Sequence, residues 1–370
     1  MRLFNRRDFL TLLLSFSPAL MAHQWATAKL GENRVILDEG INWVGAVRSH
    51  RLLRRIKRAG FNVLIPCIWN GRGAIWPSQL VARDARMRRS KVYDPVEILV
   101  SQCHHEQVEV HPWFTLGCRS IDFLPQYSCP ETPPKSFDLH NDDYISFFCR
   151  LVSEVIENYD VQGINLDYVR TGGVCKCASC REKYKKQMGG DLYADDKNYR
   201  KSVEAKNKID TWQGERLVKI MKEVRQLLRS YNEKLILSVD GAPWSDLMPR
   251  QGQDILRWAD EDLVDVAYSM NYQPVPDFHF MELLQSRMQQ PQKLGIICGN
   301  FLRDGDKVYA RSGEELSRIL QRSRSIGYLS GTAVYYYGML SDDQIDVLNH
   351  SIYQGGAATD WSFIRRKVGF

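Results

Sequence analysis

Gly163-Ile-Asn-Leu-Asp-Tyr-Val-Arg170 is a short apolar run that breaks into an aspartate, a phenol ring and an arginine. A run of this length behind a glycine reads as a buried strand. Asp167 then stands at its carboxyl end, where strand gives way to loop. Upstream of it, 142–159 carries a helical period. Downstream, a long excursion over 171–201 leads into a second helix that runs to Tyr231. Strand, helix and strand in this order are the parts of a parallel βα unit.

The unit repeats along the chain. Strands are expected at 43–47, 62–69, 108–115, 163–169, 234–239, 264–271, 293–300 and 331–337. Helices are expected at 48–60, from Asp94-Pro95 onward, at 142–159, up to Tyr231, and at 254–259, 278–289, 312–326 and 342–353. Asp94 and Pro95 suit a cap and a first turn. Eight such units close into a (β/α)₈ TIM barrel, whereas an open doubly wound sheet needs fewer strands and a switch point. The long βα loops include a Cys-rich insertion after strand four. No glycine-rich phosphate fingerprint follows the first strand, which argues against a dinucleotide.

The amino end reads as a separate segment. Asn5-Arg6-Arg7-Asp8-Phe9-Leu10 places paired arginines before a short apolar run, and Ala26-Thr27-Ala28 offers small residues to a peptidase. This predicts a twin-arginine signal over 1–28 and a single domain over 29–370, exported to the periplasm or beyond and not held in a membrane. The net charge of +6 over 370 residues gathers in local runs such as 51–58 and 83–91. Arg54, Arg55, Lys57 and Arg58 fit the solvated face of a helix. No nucleic-acid module is visible.

In a barrel of this kind chemistry collects where strands end. The ends carry Trp69, Trp113 beside His111, Asp167 with Tyr168 and Arg170, Asp240 with Trp244, Asn271 with Tyr272, Asn300, and Tyr336 within a run of three tyrosines. Rings that stack on pyranose faces, together with amides and carboxyls for hydroxyls, make a polysaccharide the expected partner. Glycoside hydrolysis uses two carboxyl groups, and Asp167 and Asp240 end neighbouring strands. Arg170 would keep Asp167 ionised, which suits a nucleophile or stabiliser, and leaves Asp240 as acid/base. The plainer alternatives are an Asp167–Arg170 ion pair, a turn-capping Asp240 and a packed His111.

Cys175-Lys-Cys177-Ala-Ser-Cys180 packs three of the nine cysteines into six residues. Two readings stay open, both structural. One is disulfides across the long loops; the other is a zinc site completed by Cys118, Cys129 or His140. Cys67, Cys103, Cys149 and Cys298 fall on expected strands and helices as free thiols. The active site itself is expected to use no metal or other cofactor, since no pair of metal-ligand histidines is present.

The segment 161–170 resembles the fourth strand of the glycosyl hydrolase-like family ten, which reads Asp-Gly-Ile-His-Leu-Asp-Tyr, then an aliphatic residue and Arg. His111-Pro-Trp113-Phe is similar to that family's His-Ala-Trp-Phe, and Asp265-Val-Ala-Tyr-Ser-Met270-Asn-Tyr272 to its sixth strand. The resemblance covers roughly 40–350 and implies an exported barrel glycosidase, some relatives acting on peptidoglycan or other surface glycans. Asn165 stands where the family has His, and Phe137-Asp-Leu-His-Asn141 departs from its usual segment. Together these point to an exported glycoside hydrolase; the rival is a glycan-binding barrel without catalysis, and a metal-dependent hydrolase comes third.

Overall fold

The computed structural model describes residues 31–365 apart from 88, 89, 91 and 327–330, so the expected signal segment lies outside the described residues. The barrel strands are β1 (Arg34–Asp38), β2 (Val63–Trp69), a third strand in two pieces, β3 (Glu109–Val110) and β4 (Trp113–Thr115), then β5 (Gly163–Asp167), β6 (Ile236–Gly241), β7 (Val266–Asn271), β8 (Leu294–Gly299) and β11 (Thr332–Tyr335). All pair in parallel with their neighbours, and β1 bonds to both β2 and β11, which closes the (β/α)₈ barrel. Pro112, which has no N–H for a ladder, sits at the break in the third strand.

The first strand is a correction. Instead of 43–47 it is Arg34-Val-Ile-Leu-Asp38, buried throughout. Trp43 and Val44 are buried too, but in a turn that enters a helix through Gly45 at φ 98°. Apolar burial in that turn mimics a strand. The charged ends of the true strand are matched locally: Arg34 bonds Glu32 and the Tyr353 carbonyl, and Asp38 accepts from Asn42.

Around the barrel run α1 (Ala46–Ala59), α2 (Pro95–His105), α3 (Asp142–Asn158), α4 (Ala178–Met188), α5 (Leu192–Asn198), α6 (Val203–Tyr231), α7 (Ile255–Asp260), α8 (Phe278–Gln285), α9 (Gly313–Ser325) and α10 (Asp342–His350). In α1, Leu52, Leu53, Ile56 and Ala59 face the sheet, while Arg55 and Arg58 reach Asp342 and Asp346 on α10. The Asp94 carboxylate caps α2 by accepting from Val96 and Glu97 N–H. The excursion after β5 folds into α4 and α5, and a hairpin of β9 (Phe301–Asp304) and β10 (Lys307–Ala310) follows β8. No helix among the described residues is long and apolar enough to cross a membrane.

Two apolar layers result. Leucines, valines and isoleucines fill the space between sheet and helices. Inside the barrel, Val35, Leu37, Val63, Ile65, Cys67, Trp113, Ile236, Val266, Tyr268, Ile297 and Ala333 form a packed interior. Its amino-terminal end is stopped by Trp361, which lies 5.5 Å from the His111 ring and donates to Glu109 at 2.8 Å.

Candidate active site

Strand parity sorts the expected site residues. Gly163 to Leu166 run in register with Ile236 to Val239, so the next step sets Asp167 level with Asp240 on the adjacent strand. Ile236 faces the barrel interior, and two and four residues on, Ser238 and Asp240 do as well. Asn165 joins the two strands, its Nδ2 donating to Ser238 Oγ and to Asp240 Oδ1, each at 3.0 Å. On the other side, Trp113 is level with Asn165 and Thr115 with Asp167.

Both acids are buried, Asp167 at 6% and Asp240 at 2% exposure. Burial raises Asp167 from an ordinary 3.8 to about 6; the Tyr168 N–H that it accepts at 2.5 Å and the charge of Arg170 only partly oppose this, and Glu39 adds to the rise. Arg170 acts in the direction expected from sequence, but burial outweighs it, and Asp167 ionises only above about pH 6. Its guanidinium lies over the Tyr168 ring at 4.5 Å. Asp240 is raised further, by burial and then by the neighbouring Asp167. Two acids so placed favour holding one proton between them, chiefly on Asp240.

Above the pair a cavity of about 670 Å³ opens at the carboxyl end of the barrel. Its wall includes Glu39, Asn70, Arg72, Trp113, Thr115, Arg119, Lys135, Tyr168 and Tyr336. Three buried polar atoms near its floor have no partner within the protein: Trp113 Nε1, Thr115 Oγ1 and Asn165 Oδ1. Tyr335 and Tyr272 stack at 4.9 Å beside the acids, and the Tyr335 hydroxyl donates to Glu39. Trp244 stands 47% exposed at the rim, held by its N–H on the Met270 carbonyl at 2.9 Å.

Four expected site residues lie elsewhere. Trp69 is fully buried behind the barrel wall against Phe123 and Phe147. His111 occupies the opposite, amino-terminal end, beside Glu109 and Trp361. Asn271 has the outward parity and bonds Ser269. Asn300 is a clamp: its Nδ2 donates to the Tyr336 carbonyl and to Gln344 Oε1 at 3.1 Å each, and its Oδ1 accepts the Tyr336 N–H at 2.8 Å. It sets the Tyr335–Tyr336 turn and does not face the cavity.

Glu39 and Thr115 are not among the residues expected from sequence, and Tyr335 is there only as part of the run of three tyrosines. Glu39 was hidden by the misplaced first strand. The other two share strand and inward parity with Trp113 and with Ala333, and that parity was the available signal.

Residues 37–146 match the family described as Glycosyl hydrolase-like 10. No curated protein sequence matches the chain. Among solved structures, the PgaB (BpsB) glycoside hydrolase domain of Bordetella bronchiseptica superposes with a TM-score of 0.64 at 12% identity, over 87% of this chain and 97% of that one. A chitinase of Chromobacterium violaceum gives 0.53 at 12%, over 87% and 99%. A GH42 β-galactosidase of G. stearothermophilus gives 0.58 at 14%, over 87% of this chain and 56% of its own. These likenesses show the fold, and the family match names the same family as the resemblance and covers the segment that holds His111 and Trp113.

Proposed function

We propose, from a glycosyl-hydrolase-like barrel with two coupled acids under its mouth, that this protein hydrolyses O-glycosidic bonds in a polysaccharide of a cell wall or other surface. The observation that carries the reading is the Asp167–Asp240 pair, side by side and in no salt bridge among the described residues, beneath a cavity whose floor holds unsatisfied polar atoms. Sugar hydroxyls would satisfy Trp113 Nε1, Thr115 Oγ1 and Asn165 Oδ1, and the Trp244 and Tyr336 rings offer flat surfaces for pyranoses.

In the reaction Asp240 holds the proton and delivers it to the leaving glycosidic oxygen. Asp167, ionised above about pH 6, faces the positive charge that grows at the anomeric carbon, and a water then bonds that carbon and returns a proton to the Asp240 carboxylate. Asn165 fixes Asp240 through its amide, and Tyr168 fixes Asp167 through its backbone N–H. The paired arginines near the amino end support a site of action outside the cytoplasm.

One observation favours the second reading, a glycan-binding barrel without hydrolysis. Glu39 is the one carboxyl among the residues of the cavity wall, and both aspartates lie below it. Reducing-end release from a panel of polysaccharides, including peptide-free peptidoglycan strands, separates the two. Cleavage by the native chain that is lost in Asp167→Asn and in Asp240→Asn supports hydrolysis. Binding with no cleavage of any glycan supports the second reading.

A further inference from the structure

Away from the cavity, the loop after β5 brings Cys175, Cys177 and Cys180 to the carboxylate of Asp138, which comes from the loop after β4. One donor atom from each lies within 4.8 Å of every other. A tetrahedral zinc with bonds of about 2.0–2.3 Å needs donors about 3.3–3.8 Å apart, so the set is close to that spacing. The surroundings are dry. Val174, Tyr184, Leu192, Ile209 and Trp212 pack around the thiols.

The local build favours anionic sulfur. Cys177 is the N-cap of α4, and the Cys180 N–H points at its Sγ from 3.4 Å, at the positive end of an eleven-residue helix. Asp138 supplies the second observation. It is buried, its oxygens take the His140 N–H at 2.9 Å and the Cys180 thiol at 3.5 Å, and among the described residues no cation forms an ion pair with it. A buried carboxylate without a counter-charge is costly, and a bound cation removes that cost. Disulfides among these cysteines would leave Asp138 as it is. All nine cysteines are free.

We propose that Cys175, Cys177, Cys180 and Asp138 bind one zinc ion as a structural site. Three thiolates select a soft or borderline metal, and a carboxylate as fourth ligand suits zinc better than copper(I) or an iron–sulfur cluster. The other candidates for the fourth ligand drop out. His140 Nε2 bonds Gln213 and its ring stacks on Trp212 at 3.7 Å. Cys118 lines the cavity. Cys129 Sγ is 3.4 Å from that of Cys175 but is not a member of the mutually close set. The metal would tie the segment that carries Arg119 and Lys135 of the cavity wall to the base of α4.

The test is metal analysis of the full-length chain purified without chelator, with thiol titration in denaturant plus chelator. One zinc per chain and nine titratable thiols are expected. Fewer than nine thiols and no zinc would mean disulfides and would overturn the proposal. If metal is lost in purification, cobalt(II) added to the native reduced chain should give the intense thiolate charge-transfer and tetrahedral visible bands; no band at one equivalent would overturn it as well. Cys177→Ser and Asp138→Asn should lose or alter those bands, whereas Cys129→Ser should keep them. Loss in Cys129→Ser with an unchanged spectrum in Asp138→Asn would overturn Asp138 as the fourth ligand.

Discussion

Replacing Asp167 by asparagine should make the protein more stable at neutral pH while removing its activity. The carboxyl ionises near 3.8 when exposed and near 6 in the fold. A difference of roughly two pH units at about 1.4 kcal/mol each means that the buried anion costs about 3 kcal/mol above pH 7. Because the folded pKa is the higher, the folded state holds more protons between the two values, so this group's contribution falls as pH rises from about 4 to about 6. At pH 4 the cost shrinks to about 0.5 kcal/mol. The amide in Asp167→Asn keeps an oxygen for the Tyr168 N–H and carries no charge. Urea unfolding of the two proteins should therefore show a gain of about 3 kcal/mol at pH 7.5, or about 4 °C in melting temperature for a chain of this size, and almost none at pH 4. A variant that is destabilised, or that gains equally at both pH values, would refute the claim that Asp167 is an unpaired buried acid.

Other outcomes follow from the same geometry. The rate of glycan cleavage should rise with pH through about 6 as Asp167 ionises, measured as initial rates across a buffer series. Trp244→Ala should raise KM by about tenfold with little change in melting temperature, because the ring is exposed at the rim; Trp69→Ala should do the reverse, losing about 3–5 kcal/mol of stability in urea titrations. Asn300→Ala should cost about 2–4 kcal/mol by the same assay, since it leaves the Tyr336 N–H and carbonyl and the Gln344 amide without their partner.

The barrel was legible because its strands are apolar runs and its helices are amphipathic, and these two periods need no knowledge of contacts. Strand one was the exception. Arg34 and Asp38 at its ends are buried through bonds to Glu32, Tyr353 and Asn42, and none of those partners can be inferred from a run of five residues. That single displacement also concealed Glu39 at the mouth. Within the site, residue type was legible and direction was not. Asn271 and Tyr272 are adjacent in sequence, yet the first turns behind the wall while the second stacks on Tyr335 beside the acids. His111 has the composition of a catalyst and sits at the wrong end, because Pro112 interrupts the strand and puts the rim several residues further on. The height of the Asp167 pKa was hidden for a related reason: Arg170 is near in sequence but lies over a ring, so desolvation outweighs its attraction.

Trp361 stops the barrel from below, and the segment leading to it is stitched to the first two strands: Asn33 donates to the Asp360 carbonyl at 2.7 Å, and Asn62 to that of Ala357 at 3.0 Å. β1, meanwhile, takes β11 as its second neighbour. A ribosome that has released only the first three hundred residues has thus made a curled sheet with two raw edges and an open base. Closure waits until residues 331–361 have emerged and then happens at both places together. For that interval the nascent chain offers bare strand edges to any other chain it meets, which makes slow translation of residues 301–361, more than any change in the finished core, the circumstance under which this protein should aggregate.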